Sequence, residues 1–193
     1  MEGSKLIVLD RDGVINQDSD AFIKSPDEWI AIPGSLEAIA RLCREDYQVV
    51  LATNQSGIAR GLFSINALNR IHEKMLGEVR RAGGEISAIF FCPHVDEDNC
   101  ECRKPRPGML LELSRRTNRS LADIPVVGDS KRDLEAANAV NATPILVKTG
   151  KGQQTADALN ANYNPNDPLA QVSQFPSLYD YVDHLLAGGE PAA

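Results

Sequence analysis

Leu6-Ile7-Val8-Leu9-Asp10-Arg11-Asp12-Gly13 is a run of four apolar residues that leads directly into two carboxylates. An apolar run of this length near an N-terminus is typical of a buried parallel strand. Side chains two positions apart on a strand share a face, so Asp10 and Asp12 should project together from its carboxyl end, with Arg11 directed elsewhere. Ligands of open α/β sheets bind at that edge. The two carboxylates repel each other, which favours a bound cation beside them; the alternative is an ordinary polar turn.

Strand and helix patterns alternate along the chain. Apolar runs typical of strands lie at 5–9, 48–52, 86–91, 125–127 and 143–148. Helical periodicity occurs at 35–45, 64–82, 108–118 and 131–141. This alternation predicts one domain over residues 1–193, of the α/β class, with a doubly wound and mostly parallel sheet. Residues 150–176 should form a loop-rich return, followed by a helix from about Ser177 and a flexible tail at 188–193.

Length, charge and hydropathy narrow the function. A chain of 193 residues builds one sizeable core, and a net charge of -7 argues against non-specific nucleic-acid binding, which needs a basic face. No apolar run has membrane-spanning length, so we expect no membrane partner. Residues 1–5 do not resemble a signal peptide, which predicts a cytoplasmic location and reduced cysteines.

Two polar loops contain candidate phosphate-binding residues: one follows the second predicted strand, and the other precedes the helix predicted at 108–118. Thr53, Asn54, Gln55 and Ser56 directly follow the second strand, where hydroxyl, amide and backbone N–H groups could hold phosphoryl oxygens. The segment 102–108 leads into a helix and carries Arg103 and Lys104 as positive charges for an anionic group. Taken singly, each could also be a plain polar turn or a solvated basic loop.

A further carboxylate pair follows the fourth predicted strand. Asp129 comes after Val126-Val127-Gly128 and should face Asp10 and Asp12 across neighbouring strand ends. Three carboxylates at one sheet edge make an oxygen site suited to Mg²⁺. Asp133 lies four residues on; it could join this site, or it could be a first-turn residue that favours the helix dipole.

Three of the four cysteines crowd into a short polar loop at 92–102. Together with one imidazole they match a closed, tetrahedral Cys₃His zinc site, with the ligands Cys92, His94, Cys100 and Cys102. The sequence around Asp96 offers little core in which unconnected thiols could be buried. The pattern therefore predicts a structural Zn²⁺ that fixes this loop beside Lys104.

The order of these motifs resembles that of the haloacid dehalogenase superfamily of phosphatases. The resemblance implies a Rossmann-like fold, with Asp10 as a nucleophile that forms an aspartyl-phosphate. Asp12 would be the general acid and base, starting protonated because Asp10 raises its pKa. Mg²⁺ would be held by Asp10, the carbonyl of Asp12 and Asp129, while Thr53 and Lys104 hold the transferred group. The segments before and after the second strand are too full of other elements for a cap domain.

The zinc loop indicates one family within this superfamily. Its ending Cys102-Arg103-Lys104-Pro105, with Asp10–Asn16 and Thr53–Gly61, is similar to the D-glycero-D-manno-heptose 1,7-bisphosphate 7-phosphatases of lipopolysaccharide-core synthesis. This implies a small phosphorylated sugar as substrate, contacted by Arg103 at its distal part. It also implies contacts from a flap with Asp18, Ser19 and Asp20, and from Asn54, Gln55 and Ser56. We expect a monomer.

Three alternative functions remain open from the sequence. Histidinol-phosphate phosphatases share much of the pattern, and related domains act on nucleic-acid ends, although the net acidity disfavours the latter. A zinc-stabilised binding module without activity is disfavoured by the presence of Asp10 and Asp12.

Overall fold

The computed structural model describes residues 5–188. The strands are β1 (Lys5–Leu9), β2 (Tyr47–Asn54), β3 (Ala88–Cys92), β4 (Pro125–Gly128), β5 (Thr143–Val147) and β6 (Ser173–Phe175). The helices are α1 (Ser35–Arg44), α2 (Ile65–Arg81), α3 (Gly108–Thr117), α4 (Lys131–Asn138), α5 (Gly152–Ala161) and α6 (Leu178–Leu186). Short 3₁₀ turns lie at Pro26–Glu28 and Asp96–Asp98.

The strands form one sheet in the order β3-β2-β1-β4-β5-β6, and every neighbouring pair is parallel. The predicted doubly wound α/β fold is confirmed. The strand order reverses between β1 and β4, which is where such sheets bind their ligands. The backbone N–H of Asp10 donates to the carbonyl of Val127 at 2.9 Å, so the two carboxylate-bearing strand ends lie side by side.

Alternate residues of β1 fill the two faces of the sheet. Ile7 and Leu9 pack with apolar side chains of α1, α2 and α6, whereas Leu6 and Val8 pack with those of α3 and α4. Each fully buried aliphatic side chain stabilises the fold by about 1.5–3 kcal/mol. Trp29 is fully buried in the first of these clusters, so the loop before α1 is anchored to the core at that point.

The C-terminal part differs from the prediction. Where a loop-rich return was expected, the chain forms α5 and the edge strand β6. Helix α5 buries only Gly152 and Ala156, and β6 pairs with β5 alone, so neither leaves a strong apolar pattern. The predicted start of the last helix is confirmed, because Ser177 caps α6 by accepting from the N–H of Asp180. Of the expected tail, residues 189–193 lie outside the described residues.

Neither of the segments where related folds insert a cap holds a separate domain within residues 5–188. Residues 14–46 contribute one 3₁₀ turn and α1, and residues 57–103 contribute α2, β3 and the loop with the cysteines. The prediction of an uncapped fold is therefore confirmed. Among the described residues, no helix combines the length and apolar character needed to cross a lipid bilayer.

Candidate active site

Lys104 connects the end of β1 with β2 and the first turn of α4. Its buried ammonium lies 3.0 Å from Oδ2 of Asp10, pairs with Oδ1 of Asp133 and donates to the carbonyl of Ala52 at 2.8 Å. The side chain of Asn54 fixes the Lys104 backbone by donating to its carbonyl and accepting from its N–H. The residue that ends the zinc loop is thereby held against the predicted nucleophile.

A carboxylate cluster surrounds this ammonium. Oxygen atoms of Asp10, Asp129 and Asp133 all lie within 4.8 Å of one another. Burial, with Asp133 and Asp12 nearby, raises the pKa of Asp10 to about 7, although Lys104 opposes the shift. Burial and the charges of Asp133 and Asp10 raise the pKa of Asp129 to about 8. Carboxylates this crowded fit Mg²⁺, whose charge would offset both burial and repulsion.

Asp133 satisfies both roles that the sequence left open. Its Oδ2 accepts from the N–H and the hydroxyl of Ser130, at 3.0 and 2.5 Å, and thereby caps α4. Its Oδ1 faces Lys104 in the carboxylate cluster. Burial raises the pKa of Asp133, but Lys104 and Ser130 outweigh it and the net pKa is lowered. Lys104 and Ser130 thus favour the ionised form of Asp133.

Asp129 is wedged between two glycines. A Cβ on Gly13 or on Gly150 would lie only 2.0 or 2.2 Å from its Oδ2, and both glycines have positive φ angles. The same oxygen accepts from the N–H of Lys151 at 2.7 Å, and the hydroxyl of Thr149 donates to the carbonyl of Gly13 at 2.6 Å. The loop after β1 and the loop after β5, which are far apart in sequence, therefore both contact the carboxylate of Asp129.

Asp12 departs from the prediction in its partner and its ionisation. Arg11, fully buried, does not point elsewhere but donates to the Asp12 carboxylate at 2.8–3.1 Å. Asn16 and Gln55 donate to the same group at 2.8 and 2.9 Å. Burial raises the pKa of Asp12, but Arg11, Asn16 and Gln55 outweigh it and the net pKa is lowered. The expectation that Asp10 keeps Asp12 protonated is wrong for this resting geometry.

The buried His72 of α2 lies behind this arrangement. Its Nε2 is 3.4 Å from Nη1 of Arg11, and burial together with Arg11 lowers its pKa to about 4. A neutral imidazole accepting from Arg11 supports the guanidinium that binds Asp12. No sequence motif indicated this contact, because α2 is an otherwise ordinary amphipathic helix.

All of the predicted substrate-binding residues line one cavity of about 320 Å³, together with Asp10, Asp12 and Asp129. These residues are Asp18, Ser19, Asp20, Thr53, Asn54, Gln55, Ser56, Arg103 and Lys104. Four charged residues of the lining had not been predicted: Arg60, Asp96, Arg132 and Lys151. Lys151 forms ion pairs with Asp18 and Asp20, at 3.3 and 3.2 Å, which links the flap to the loop after β5.

The predicted zinc ligands converge. Nδ1 of His94 and the sulfurs of Cys92, Cys100 and Cys102 are separated by 3.2–3.6 Å in the contacts among them. Four ligands around a tetrahedral zinc lie about 3.5–3.8 Å apart, given bonds of about 2.3 Å to sulfur and 2.0 Å to nitrogen. The sulfurs are too far apart for disulfides, and all four cysteines of the chain are free thiols. The set fits a structural Zn²⁺.

The zinc loop also orients Arg103. The guanidinium donates from Nε to Oδ1 of Asp96 at 2.6 Å and from Nη1 to the carbonyl of His94 at 3.3 Å. The first residue of α3, Gly108, packs against the zinc loop, because a Cβ on Gly108 would lie 2.2 Å from the carbonyl oxygen of Glu101. The loop that binds zinc and the side chain that enters the cavity therefore form one packed unit.

Comparisons with known proteins agree with this geometry. The HAD-hydrolase-like family model matches residues 101–174. The D-glycero-beta-D-manno-heptose-1,7-bisphosphate 7-phosphatase of Bordetella bronchiseptica is 61% identical over 151 residues, which cover 78% of this chain and 84% of that protein. The enzyme of the same name from Neisseria meningitidis serogroup A is 56% identical over 182 residues, covering 94% and 95% of the two chains.

A solved structure shows the same architecture. It is the D,D-heptose 1,7-bisphosphate phosphatase of B. bronchiseptica complexed with magnesium and phosphate, and its sequence is 52% identical. It superposes with a TM-score of 0.88 over 96% of this chain and 99% of that one. With relatives of this identity and coverage, the chain belongs to the D-glycero-D-manno-heptose 1,7-bisphosphate 7-phosphatase family of haloacid dehalogenase-like hydrolases.

Proposed function

We propose that the protein is a Mg²⁺-dependent phosphatase that removes the 7-phosphate of D-glycero-D-manno-heptose 1,7-bisphosphate, a step of lipopolysaccharide-core heptose synthesis. The observation that carries this proposal is the single cavity that Asp10, Lys104 and Arg103 share. A nucleophile beside one fixed cation suits the transferred phosphoryl group, and the adjacent guanidinium suits a second anion. The names of the relatives specify the same reaction, on the β anomer.

The chemistry follows from the positions of Asp10 and Asp12. A carboxylate oxygen of Asp10 attacks phosphorus, an aspartyl-phosphate forms, and the bond from phosphorus to the sugar oxygen breaks while Asp12 protonates that oxygen. Water then attacks the aspartyl-phosphate, gives its proton to Asp12 and releases orthophosphate from Asp10. Because Arg11 and Gln55 stabilise the ionised form of Asp12, we propose that it takes up its proton as the anionic phosphoryl group arrives.

The other lining residues bind the substrate. Lys104, Thr53 and the neighbouring Asn54–Ser56 turn would hold the transferred phosphoryl oxygens. Asp18, Ser19 and Asp20 of the flap offer oxygen atoms that accept hydrogen bonds from sugar hydroxyls. Arg103 would contact the part of the substrate that is not transferred.

Two metals complete the enzyme. We propose that Asp10, the carbonyl of Asp12 and Asp129 hold Mg²⁺, which supplies positive charge against the phosphoryl oxygens. Zn²⁺ on the Cys₃His cluster would be structural, since four protein ligands leave no open position.

The proposal includes a cytoplasmic, monomeric enzyme with one catalytic domain. A thiolate zinc site is best maintained in a reducing compartment. The lining residues of the cavity surround one end of a single sheet, which one domain provides.

A substrate panel tests the function. We expect kcat/KM for phosphate release to be highest with heptose 1,7-bisphosphate, below it with sugar monophosphates, and lowest with histidinol phosphate. Asp10→Asn should abolish turnover and leave the circular dichroism spectrum unchanged, because an amide keeps the shape but cannot attack phosphorus. A preference of the wild-type protein for histidinol phosphate would replace the heptose assignment with that activity.

A further inference from the structure

Three arginines from three different elements line the active-site cavity. Arg60 lies in the turn after β2, Arg103 directly follows the last cysteine of the zinc loop, and Arg132 is in the first turn of α4. All three arginines act on Asp96, which lines the same cavity. Its pKa is lowered first by the hydrogen bond from Arg103, and then by the positive charges of Arg132 and Arg60. One point at the rim therefore lies in the field of three guanidinium groups.

The side chains of Arg60 and Arg132 are not held by polar contacts among the described residues. Both are exposed, and neither side chain makes a hydrogen bond or ion pair within residues 5–188. The neighbouring Lys131 differs, because it pairs with Glu135 at 3.4 Å and lines another cavity. Cations that approach one carboxylate without further partners leave positive charge uncompensated, and guanidinium groups are well suited to phosphate.

Arg103 is pre-oriented toward this point. A guanidinium has five N–H groups, and in Arg103 the contacts with Asp96 and the carbonyl of His94 engage three of them. The remaining N–H groups stay available at the end of the side chain. Because Asp96 is itself largely exposed, its pairing with Arg103 is weakly stabilising and does not compete strongly with a dianion.

We propose that Arg60 and Arg132 join Arg103 to bind the second, non-transferred phosphate of the substrate. This inference rests on the proposed function, in which a bisphosphate is cleaved at one end. Arg103 and Lys104 are consecutive, so the distal and the transferred phosphates are bound by adjacent residues of a segment that the zinc loop holds in place. A monophosphate leaves Arg60 and Arg132 without an anion, and these two arginines therefore set the preference for bisphosphates.

Paired substrates with the same scissile bond test the proposal. Arg60→Ala, Arg132→Ala and the double variant are assayed with heptose 1,7-bisphosphate and with heptose 7-phosphate. Arg80→Ala serves as the matched control, because Arg80 is exposed on α2 and lies outside the cavity. We expect each single variant to raise KM for the bisphosphate about fivefold and the double variant more than about tenfold. KM for the 7-phosphate and kcat for both substrates should change less than about twofold.

Salt provides a second readout. Added KCl should weaken the preference of the wild-type protein for the bisphosphate, and the double variant should show a flatter salt dependence. Equal KM changes for both substrates, or bisphosphate kinetics like those of Arg80→Ala, would overturn the role of Arg60 and Arg132 while leaving the proposed function intact. A wild-type protein without any preference for the bisphosphate would instead refute the proposed function, and this inference with it.

Discussion

Crowded carboxylates dominate the chemistry of individual residues in this site. The pKa values of Asp10 and Asp129 are raised to about 7 and about 8, first by burial and then by neighbouring carboxylates. When the pKa of a carboxyl is higher in the folded chain than in the unfolded one, the fold loses stability as pH rises from the unfolded pKa to the folded pKa. For Asp10 and Asp129 this range runs from 3.8 to about 7 and about 8. A divalent cation reverses this, because it binds the ionised forms.

Mg²⁺ binding should therefore depend steeply on pH. Between pH 6 and pH 8.5 we expect the affinity for Mg²⁺ to increase about tenfold or more, because protons no longer compete for Asp10 and Asp129. Mg²⁺ should likewise raise Tm more at pH 8.5 than at pH 6. Isothermal titration and thermal denaturation measure the two effects, and constant zinc content across the series is the control. Equal Mg²⁺ affinity at both pH values would contradict the raised pKa values.

Residues at strand ends were predictable, and residues beyond them were not. Asp10 and Asp129 directly follow apolar runs, and the parallel sheet brings such ends together. The prediction that Arg11 points away from Asp10 and Asp12 assumed that the strand continues through residue 12. It was wrong because β1 ends at Leu9 and the chain turns at Gly13, with φ of 79°. The pairing of Arg11 with Asp12 follows from this turn. Single arginines such as Arg132 carry no motif, so only the folded chain brings them to the cavity.

Elements of secondary structure were predictable in proportion to the apolar surface that they bury. Helix α2 buries six side chains and begins at a serine cap, so its pattern is clear in the sequence. Helix α5 buries one glycine and one alanine, and the three residues of β6 form an edge strand, so their sequences read as loop. The zinc loop was predictable for a different reason. Three cysteines and one histidine within eleven positions are typical of a metal site.

Zinc and magnesium should separate experimentally. Mild EDTA treatment and desalting should remove activity that Mg²⁺ alone restores, while about one zinc per chain stays bound in the closed thiolate site. Cys102→Ser should lose zinc and lower Tm, because it removes a ligand of the Cys₃His cluster. Cys43→Ser is the matched control, since Cys43 lies outside the cluster and contacts Glu85. Absence of zinc from protein purified without chelator would refute the site.

The molecule as a whole assembles the site from segments far apart in sequence. Asp10 and Gly13 follow the first strand, Lys104 ends the zinc loop, and Gly150 follows β5. No local unit of the fold contains the complete site. Its geometry therefore depends on the complete sheet, with β1 and β4 adjacent at the point where the strand order reverses.

Gly150→Ala tests this dependence. The new Cβ would lie 2.2 Å from Oδ2 of Asp129, so the carboxylate must move, and we expect Mg²⁺ affinity to fall about tenfold or more. Gly83→Ala is the matched control, because Gly83 also has a positive φ, 87°, but its Cβ would meet nothing within 4 Å. Gly83→Ala should lose about 1–2 kcal/mol of stability from backbone strain alone. Gly150→Ala should lose more, as measured by urea unfolding, because its Cβ would also lie 2.5 Å from Cα of Gly13. Equal Mg²⁺ affinity in the two variants would show that Asp129 does not depend on Gly150.

The contact of Gly13 with Thr149 and Gly150 has a consequence for protein synthesis. The two loops that enclose Asp129 are 136 positions apart, measured from Gly13 to Thr149. A ribosome therefore translates Asp10, the proposed nucleophile, early, but the nascent chain lacks one wall of the pocket until the segment after β5 has emerged. We therefore expect hydrolysis to begin only when that late segment docks, so that catalytic competence in a newly translated chain reports that its last third has folded onto its first strand.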